Sequence, residues 1–145
     1  IPGLRLGYAI GDPKRLKRWE SLRDPWPLNG FAITAGIKIM TEVNELNLWT
    51  RGIQTWVKSE GDWLFSKLEL IPSIKPLSSS TNFLLIKGDR SLTEIENKLK
   101  EKCILTRNCC SFIGLNEQYL RISLQTRKDN KRIISSLKKI IESRY

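Results

Sequence analysis

The sequence predicts a mixed α/β chain that closes in an α+β domain, a small antiparallel sheet covered by helices. Three patterns support this. A short apolar run at the start, Leu4–Ile10, has strand character and is followed by helical segments. A long helical candidate, Leu46–Leu70, occupies the middle. From Asn82 onward strand and helix patterns alternate as β-α-β-β-α, an order that favours antiparallel pairing with helices on one side.

In chain order, Leu4–Ile10 (LRLGYAI) reads as a buried strand closed by Gly11-Asp12-Pro13. Alternation would set Leu4, Leu6, Tyr8 and Ile10 on one face and Arg5, Gly7 and Ala9 on the other. Lys14–Arg23 follows as a polar helix ended by Asp24-Pro25-Trp26-Pro27. Asn29 is placed to cap a helix over Gly30–Glu42, whose apolar residues suggest burial on several sides. In Leu46–Leu70, the residues Leu46, Trp49, Ile53, Trp56, Trp63 and Leu64 form a helical stripe. A helix packed across two layers explains the three tryptophans better than a ligand surface. Pro72 and Pro76 mark a boundary.

Beyond it, Asn82–Ile86 is a strand, and Ser91 with Glu94 has the capping-box spacing that opens a helix on Leu92, Ile95 and Leu99. Cys103–Asn108 and Gln118–Leu124 are strands. In the second, Leu120, Ile122 and Leu124 alternate with Tyr119, Arg121 and Ser123, so Arg121 points away from the apolar face. Thr126 and Asp129 open a final amphipathic helix with Ile133, Ile134, Leu137, Ile140 and Ile141 inward. These boundaries divide the chain into 1–45, an interdomain helix over 46–72, and a small domain over 73–145.

Composition narrows the chemistry. With 40% hydrophobic and 28% charged residues the chain is globular rather than disordered. No apolar run approaches the roughly 20 residues that span a bilayer, so a membrane partner is not expected and a cytoplasmic location is. The chain starts at Ile1-Pro2 inside an apparent strand, which reads as a cut. The formal charge of +10 admits nucleic acid, an acidic partner or a phosphorylated small molecule. Its basic residues are spread along helical patterns, where a solvated face is the simpler account. The three cysteines, Cys103, Cys109 and Cys110, make a poor disulfide framework, and a metal site is not expected without His. The lack of His also excludes His-based acid–base and triad chemistry within these residues.

Three arginines remain: Arg5, Arg107 and Arg121. Each stands in a strand or at a strand edge, where a charge is costly unless it meets an anion. A guanidinium fork suits phosphate and carboxylate, which accept two parallel hydrogen bonds. Singly, each would be read as a structural ion pair. Together they indicate a site for a multiply anionic ligand.

The segments around these arginines resemble a known family. IPGLRLGY at Ile1–Tyr8, PWPLN at Pro25–Asn29, STNFLLI at Ser80–Ile86 and YLRISL at Tyr119–Leu124 are similar to the C-terminal part of class I/II aminotransferases. These are pyridoxal-phosphate enzymes of fold type I. Within the family, Ile104–Asn130 (Arg-Asn-Cys, then Phe112, Gly114-Leu115 and Tyr119-Leu-Arg) is most similar to threonine-phosphate decarboxylases of cobalamin synthesis and to their relatives, the histidinol-phosphate aminotransferases.

The resemblance implies the fold of a large-domain remnant, a long interdomain helix and a small domain. It also implies pyridoxal 5'-phosphate as cofactor, a phosphorylated amino acid as substrate and a homodimer. It places Arg5 on the cofactor phosphate, Arg107 on the substrate phosphate and Arg121 on the substrate α-carboxylate. The lysine that carries the cofactor would precede Ile1, as would the acidic partner of its ring nitrogen and the aromatic that stacks on it. No catalytic residue is therefore expected here, and Lys14, which follows the turn, is no substitute. The expected function is L-threonine-O-3-phosphate decarboxylation by the whole protein, with little or no activity in these residues alone. Histidinol-phosphate transamination is the alternative within the family, and a relative that lost its lysine is another. A basic nucleic-acid-binding module, displaying Phe83 and Tyr119, is the less favoured reading from a different class.

Overall fold

The computed structural model describes Pro2–Ser143, so Ile1 of the IPGLRLGY segment lies outside the described residues. The chain forms two compact units, Ile1–Arg51 and Gly52–Tyr145.

The first unit holds a 3₁₀ turn at Pro2–Leu4, helix α1 (Pro13–Glu20), helix α2 (Gly30–Thr41) and the start of helix α3 (Val43–Glu69). Local chemistry sets the helix starts. The Asp12 carboxylate accepts from the Arg15 amide at 3.0 Å, with Pro13 at the first helical position. The Asn29 side chain accepts from the Ala32 amide at 2.8 Å. The expected strand at Leu4–Ile10 does not form. Arg5 takes a left-handed backbone with φ of 55°, and the residues beyond it are irregular, with Tyr8 and Ile10 exposed. A strand needs a neighbour to receive its ladder, and this unit has no other strand among the described residues. The expected burial of α2 on several sides also fails. Only Ala32 is buried, while Phe31 and Met40 are 86% and 67% exposed, because the described residues of the unit cover little of the helix beyond the Leu6 side chain beside Gly36.

The second unit continues α3 and adds β1 (Ile74–Leu77), β2 (Phe83–Gly88), α4 (Thr93–Glu101), β3 (Arg107–Asn108), β4 (Tyr119–Ser123) and α5 (Arg127–Glu142). The four strands run antiparallel in the order β1-β2-β4-β3. Alternate residues of the central strands, Leu84 and Ile86 with Leu120 and Ile122, pack into one core. Leu64 and Leu68 of α3, Ile95 and Leu99 of α4, and Ile133, Leu137 and Ile141 of α5 complete it. Each such side chain contributes about 2 kcal/mol of transfer free energy. The helices therefore cover one face of the sheet, as expected, and the other face stays open.

Several boundaries differ from the sequence pattern for identifiable reasons. β1 was unforeseen because Pro76 argues against a strand. It is tolerated because β1 is an edge strand. The strand expected at Cys103–Asn108 shortens to Arg107–Asn108. Cys103 adopts φ of 55°, and the amides of Ile104 and Cys103 bond back to the carbonyls of Leu99 and Lys100 at 2.9 Å each. This is a Schellman closure of α4, with Leu99 and Ile104 both buried. The Ser91–Glu94 capping box does not form either. Leu92 occupies the cap position, and the Ser91 hydroxyl accepts from the Thr93 amide at 3.3 Å instead. Thr126 does cap α5, accepting from the Asp129 amide at 3.3 Å.

Gly88 closes β2 where the chain turns toward α4. A Cβ there would lie 2.5 Å from Leu92 Cδ2 and 2.8 Å from the Arg90 carbonyl oxygen. The second contact is with backbone and cannot relax by a rotamer change. Gly88→Ala is expected to lower unfolding stability by about 1–3 kcal/mol in a urea titration. An unchanged midpoint would show that the turn shifts freely.

Candidate anion-binding site

The site follows from the alternation along β4. Leu120 and Ile122 are buried, at 0% and 1% exposure, so Tyr119, Arg121 and Ser123 project from the open face. Arg121 stands directly opposite Leu85 of β2 on one side and Arg107 of β3 on the other. Two arginines thus face each other across adjacent strands, an arrangement that repulsion makes unfavourable by itself.

Among the described residues no ion pair includes Arg107 or Arg121. Aromatic rings and a hydroxyl hold them instead. The Arg121 guanidinium lies 4.7 Å from the centroid of Phe83, and that of Arg107 lies 5.8 Å from Phe112. Arg107 Nη2 donates to Ser111 Oγ at 3.1 Å. These contacts orient the cations without neutralising them, so their donors remain available to an anion. The same face carries Lys75 opposite Lys87, and Lys87 Nζ lies 5.7 Å from the centre of the Tyr119 ring.

Cys109 is buried, and its Sγ donates to the Arg107 carbonyl at 3.5 Å. Burial pushes its thiol above the usual range, against the opposing pull of Arg121 and Arg107. That makes it a packed thiol rather than a nucleophile. Cys103 and Cys110 are exposed, and the three cysteines are free.

Arg5, the third arginine singled out from the sequence, belongs to the first unit. It is exposed, at the turn that follows Leu4, and no ion pair among the described residues engages it. The structure therefore brings Arg107 and Arg121 together and presents Arg5 by itself. Phe83 was singled out only as a nucleic-acid stacking residue, yet it lies under Arg121. Asn108, Ser111 and Phe112 were not assigned any role. Their one signal was position: a polar residue directly after Arg107 and a hydroxyl four residues beyond it. Among the described residues no cluster of three metal-ligating side chains occurs, and no helix is long and apolar enough to cross a membrane.

Residues 1–137 match the family described as aminotransferase class I and II. The chain belongs to that family. It is 27% identical over 142 residues to a threonine-phosphate decarboxylase of Salmonella typhimurium, covering 97% of this chain and 38% of that protein. The L-threonine-O-3-phosphate decarboxylase structure from Porphyromonas gingivalis superimposes with a TM-score of 0.82 at 28% identity, over 98% of this chain and 43% of that one. A histidinol-phosphate aminotransferase from Clostridium acetobutylicum gives 0.83, also at 28% identity, over 98% and 42%. The fold is that of fold-type I pyridoxal-phosphate enzymes, and the chain spans about two fifths of the length of these class I and II aminotransferase relatives.

Proposed function

We propose that the whole protein is a pyridoxal-phosphate-dependent enzyme that decarboxylates L-threonine O-3-phosphate, working as a homodimer. The observation that carries this reading is the Arg121–Arg107 pair, two arginines opposite each other across adjacent strands on an open face, with no ion-pair partner among the described residues. A ligand with two anions close together neutralises both at once. Threonine phosphate is such a ligand, since its carboxylate and phosphate sit on neighbouring carbons.

In this reading Arg121 grips the α-carboxylate and Arg107 the substrate phosphate. Arg5 takes the cofactor phosphate, and its guanidinium, exposed and without an ion pair among the described residues, fits that role chemically. Pyridoxal phosphate supplies the electron sink when bound. This chain's residues decide which bond is presented for cleavage. Arg121, fixed against Phe83 at 4.7 Å, sets the direction of the carboxylate. Arg107 sets the opposite end of the substrate, so the pair defines its orientation at two points.

Assay of the whole protein separates the possibilities. With L-threonine O-3-phosphate, release of carbon dioxide and a phosphorylated amino alcohol is expected. Amino transfer from histidinol phosphate to a 2-oxo acid, without carbon dioxide from threonine phosphate, would replace decarboxylation with the aminotransferase reading. Strongly salt-dependent RNA or DNA binding with neither activity would overturn both.

A further inference from the structure

β3 is the shortest strand of the sheet, Arg107 and Asn108 alone, and it lies at the edge. Two ladder residues hold an edge strand weakly, yet Arg107 must keep its place beside Arg121. The side chain that follows it supplies the missing support. Alternation sends Asn108 to the face opposite Arg107, toward the helices. There Asn108 Nδ2 donates to Glu96 Oε2 of α4 at 3.1 Å, and Asn108 Oδ1 accepts from the Cys110 amide at 2.9 Å. Glu96 is buried, 6% exposed, and Lys100 Nζ pairs with its other oxygen at 2.8 Å.

One amide thus performs two tasks. Its donor end fixes the strand to α4, and its acceptor end fixes the turn that leads to Ser111. Ser111 is the group that receives the Arg107 guanidinium. Both ends of Arg107, its backbone and its side-chain partner, are therefore referred to the same Asn108–Glu96 contact. Burial opposes ionisation of Glu96, but the hydrogen bonds from Lys100 and Asn108 prevail and keep its pKa below the ordinary value. The clasp therefore presents a charged acceptor, which makes a stronger hydrogen bond than a neutral one.

We propose that Asn108 and Glu96 are positioning residues for Arg107, setting the affinity of this site for a phosphate group without touching it. The proposal rests on Arg107 being a phosphate grip. It adds that the grip is built from beneath the sheet, by residues of the helix-covered face.

The test is an NMR titration of the isotope-labelled chain with inorganic phosphate, reading the Arg107 side-chain Nε–H and the Ser111 amide. Inorganic phosphate is expected to shift both signals. Asn108→Ala is expected to weaken that response roughly tenfold, as misplacement of a binding group does. Glu96→Ala should act in the same direction, whereas Glu96→Gln keeps an acceptor for Asn108 and should restore most of the affinity. L-Threonine, a carboxylate without phosphate, provides the control. Its response at the Arg121 Nε–H should be the same in wild type, Asn108→Ala and Glu96→Ala.

The failures are distinct. If Arg107→Ala leaves phosphate binding unchanged, Arg107 is not the grip and the function reading loses its phosphate site. If Arg107→Ala abolishes the response while Asn108→Ala and Glu96→Ala bind as wild type, the clasp proposal alone is overturned. Equal weakening toward phosphate and L-threonine would mean general loosening of the sheet, and would also overturn it. Should Asn108→Ala fail to fold, the pair Glu96→Ala and Glu96→Gln decides: weakened binding in the first and recovery in the second support the clasp, and equality between them rejects it.

Discussion

Arg127→Ala is expected to destabilise the second unit by about 3 kcal/mol, the scale for stranding one member of a buried ion pair. Arg127 forks onto Glu60 of α3, Nε and Nη2 reaching its two oxygens at 2.9–3.1 Å, and its guanidinium lies 4.4 Å from the centre of the Trp63 ring. Asn130 Nδ2 adds a bond to Glu60 Oε2 at 3.0 Å and ties the network to the chain after β4 through Gln125. The two partners are unequally placed. The Glu60 side chain is 10% exposed and that of Arg127 41%. Removing the arginine leaves a carboxylate that water reaches poorly, while removing the carboxylate leaves an arginine that can hydrate. Glu60→Ala is therefore expected to cost less, about 1–2 kcal/mol. Equal losses in urea denaturation would mean that the burial asymmetry has no energetic weight.

The pH dependence gives the same prediction an independent sign. In the wild type the Arg127 hydrogen bond is the largest influence on Glu60 and lowers its pKa. Burial opposes it, and Asn130 and the charge of Arg127 assist it. A carboxyl with a depressed folded pKa contributes stability above its unfolded pKa, and this contribution is lost as pH falls through the folded value. Without Arg127, its hydrogen bond, the largest lowering influence, and the aid of its charge are both gone, so the depression of the Glu60 pKa shrinks. The part of the stability that depends on an ionised Glu60 shrinks with it, and so does the loss on acidification. Acidification should thus narrow the gap between Arg127→Ala and wild type. A gap independent of pH would remove Glu60 ionisation from the explanation.

This clasp was invisible in the sequence, where Glu60 and Arg127 are ordinary charges in two amphipathic helices. Nothing local distinguishes them from solvated neighbours, and only the packing of α3 against α5 brings them together. The β4 alternation was legible because it depends on period alone: Leu120, Ile122 and Leu124 inward, Arg121 outward. α5 was legible for the same reason, with Thr126 and Asp129 supplying its start. Leu4–Ile10 misled because an apolar run records a preference for burial but not the presence of a neighbouring strand. Cys103 misled because a left-handed helix closure was occupied by a cysteine where glycine is the usual signal. At the site, the arginines announced themselves as charges among apolar residues. Asn108 and Ser111 did not, since their meaning lies in which partner the fold sets beside them.

Arg121→Leu is expected to remove about 3–4 kcal/mol of transition-state stabilisation from the whole enzyme, a loss of two to three orders of magnitude in kcat/KM for threonine phosphate. Two charge-assisted bonds to the carboxylate, made by an arginine held against Phe83, account for a loss of that size. Arg121→Lys keeps the charge but not the fork, and should recover only part of the loss. Stability should move the other way. Arg121 faces Arg107 across the ladder, and neither has an ion-pair partner among the described residues, so its removal relieves a like-charge pair by about 0.2–1 kcal/mol. Leucine would also extend the apolar row that begins with Leu77 and Leu85. A variant at least as stable as the wild type, yet deeply impaired, is the signature of residues kept for a ligand rather than for the fold. If Arg121→Leu loses stability and activity together, the arginine serves the sheet, and the anion it was expected to meet must be sought elsewhere.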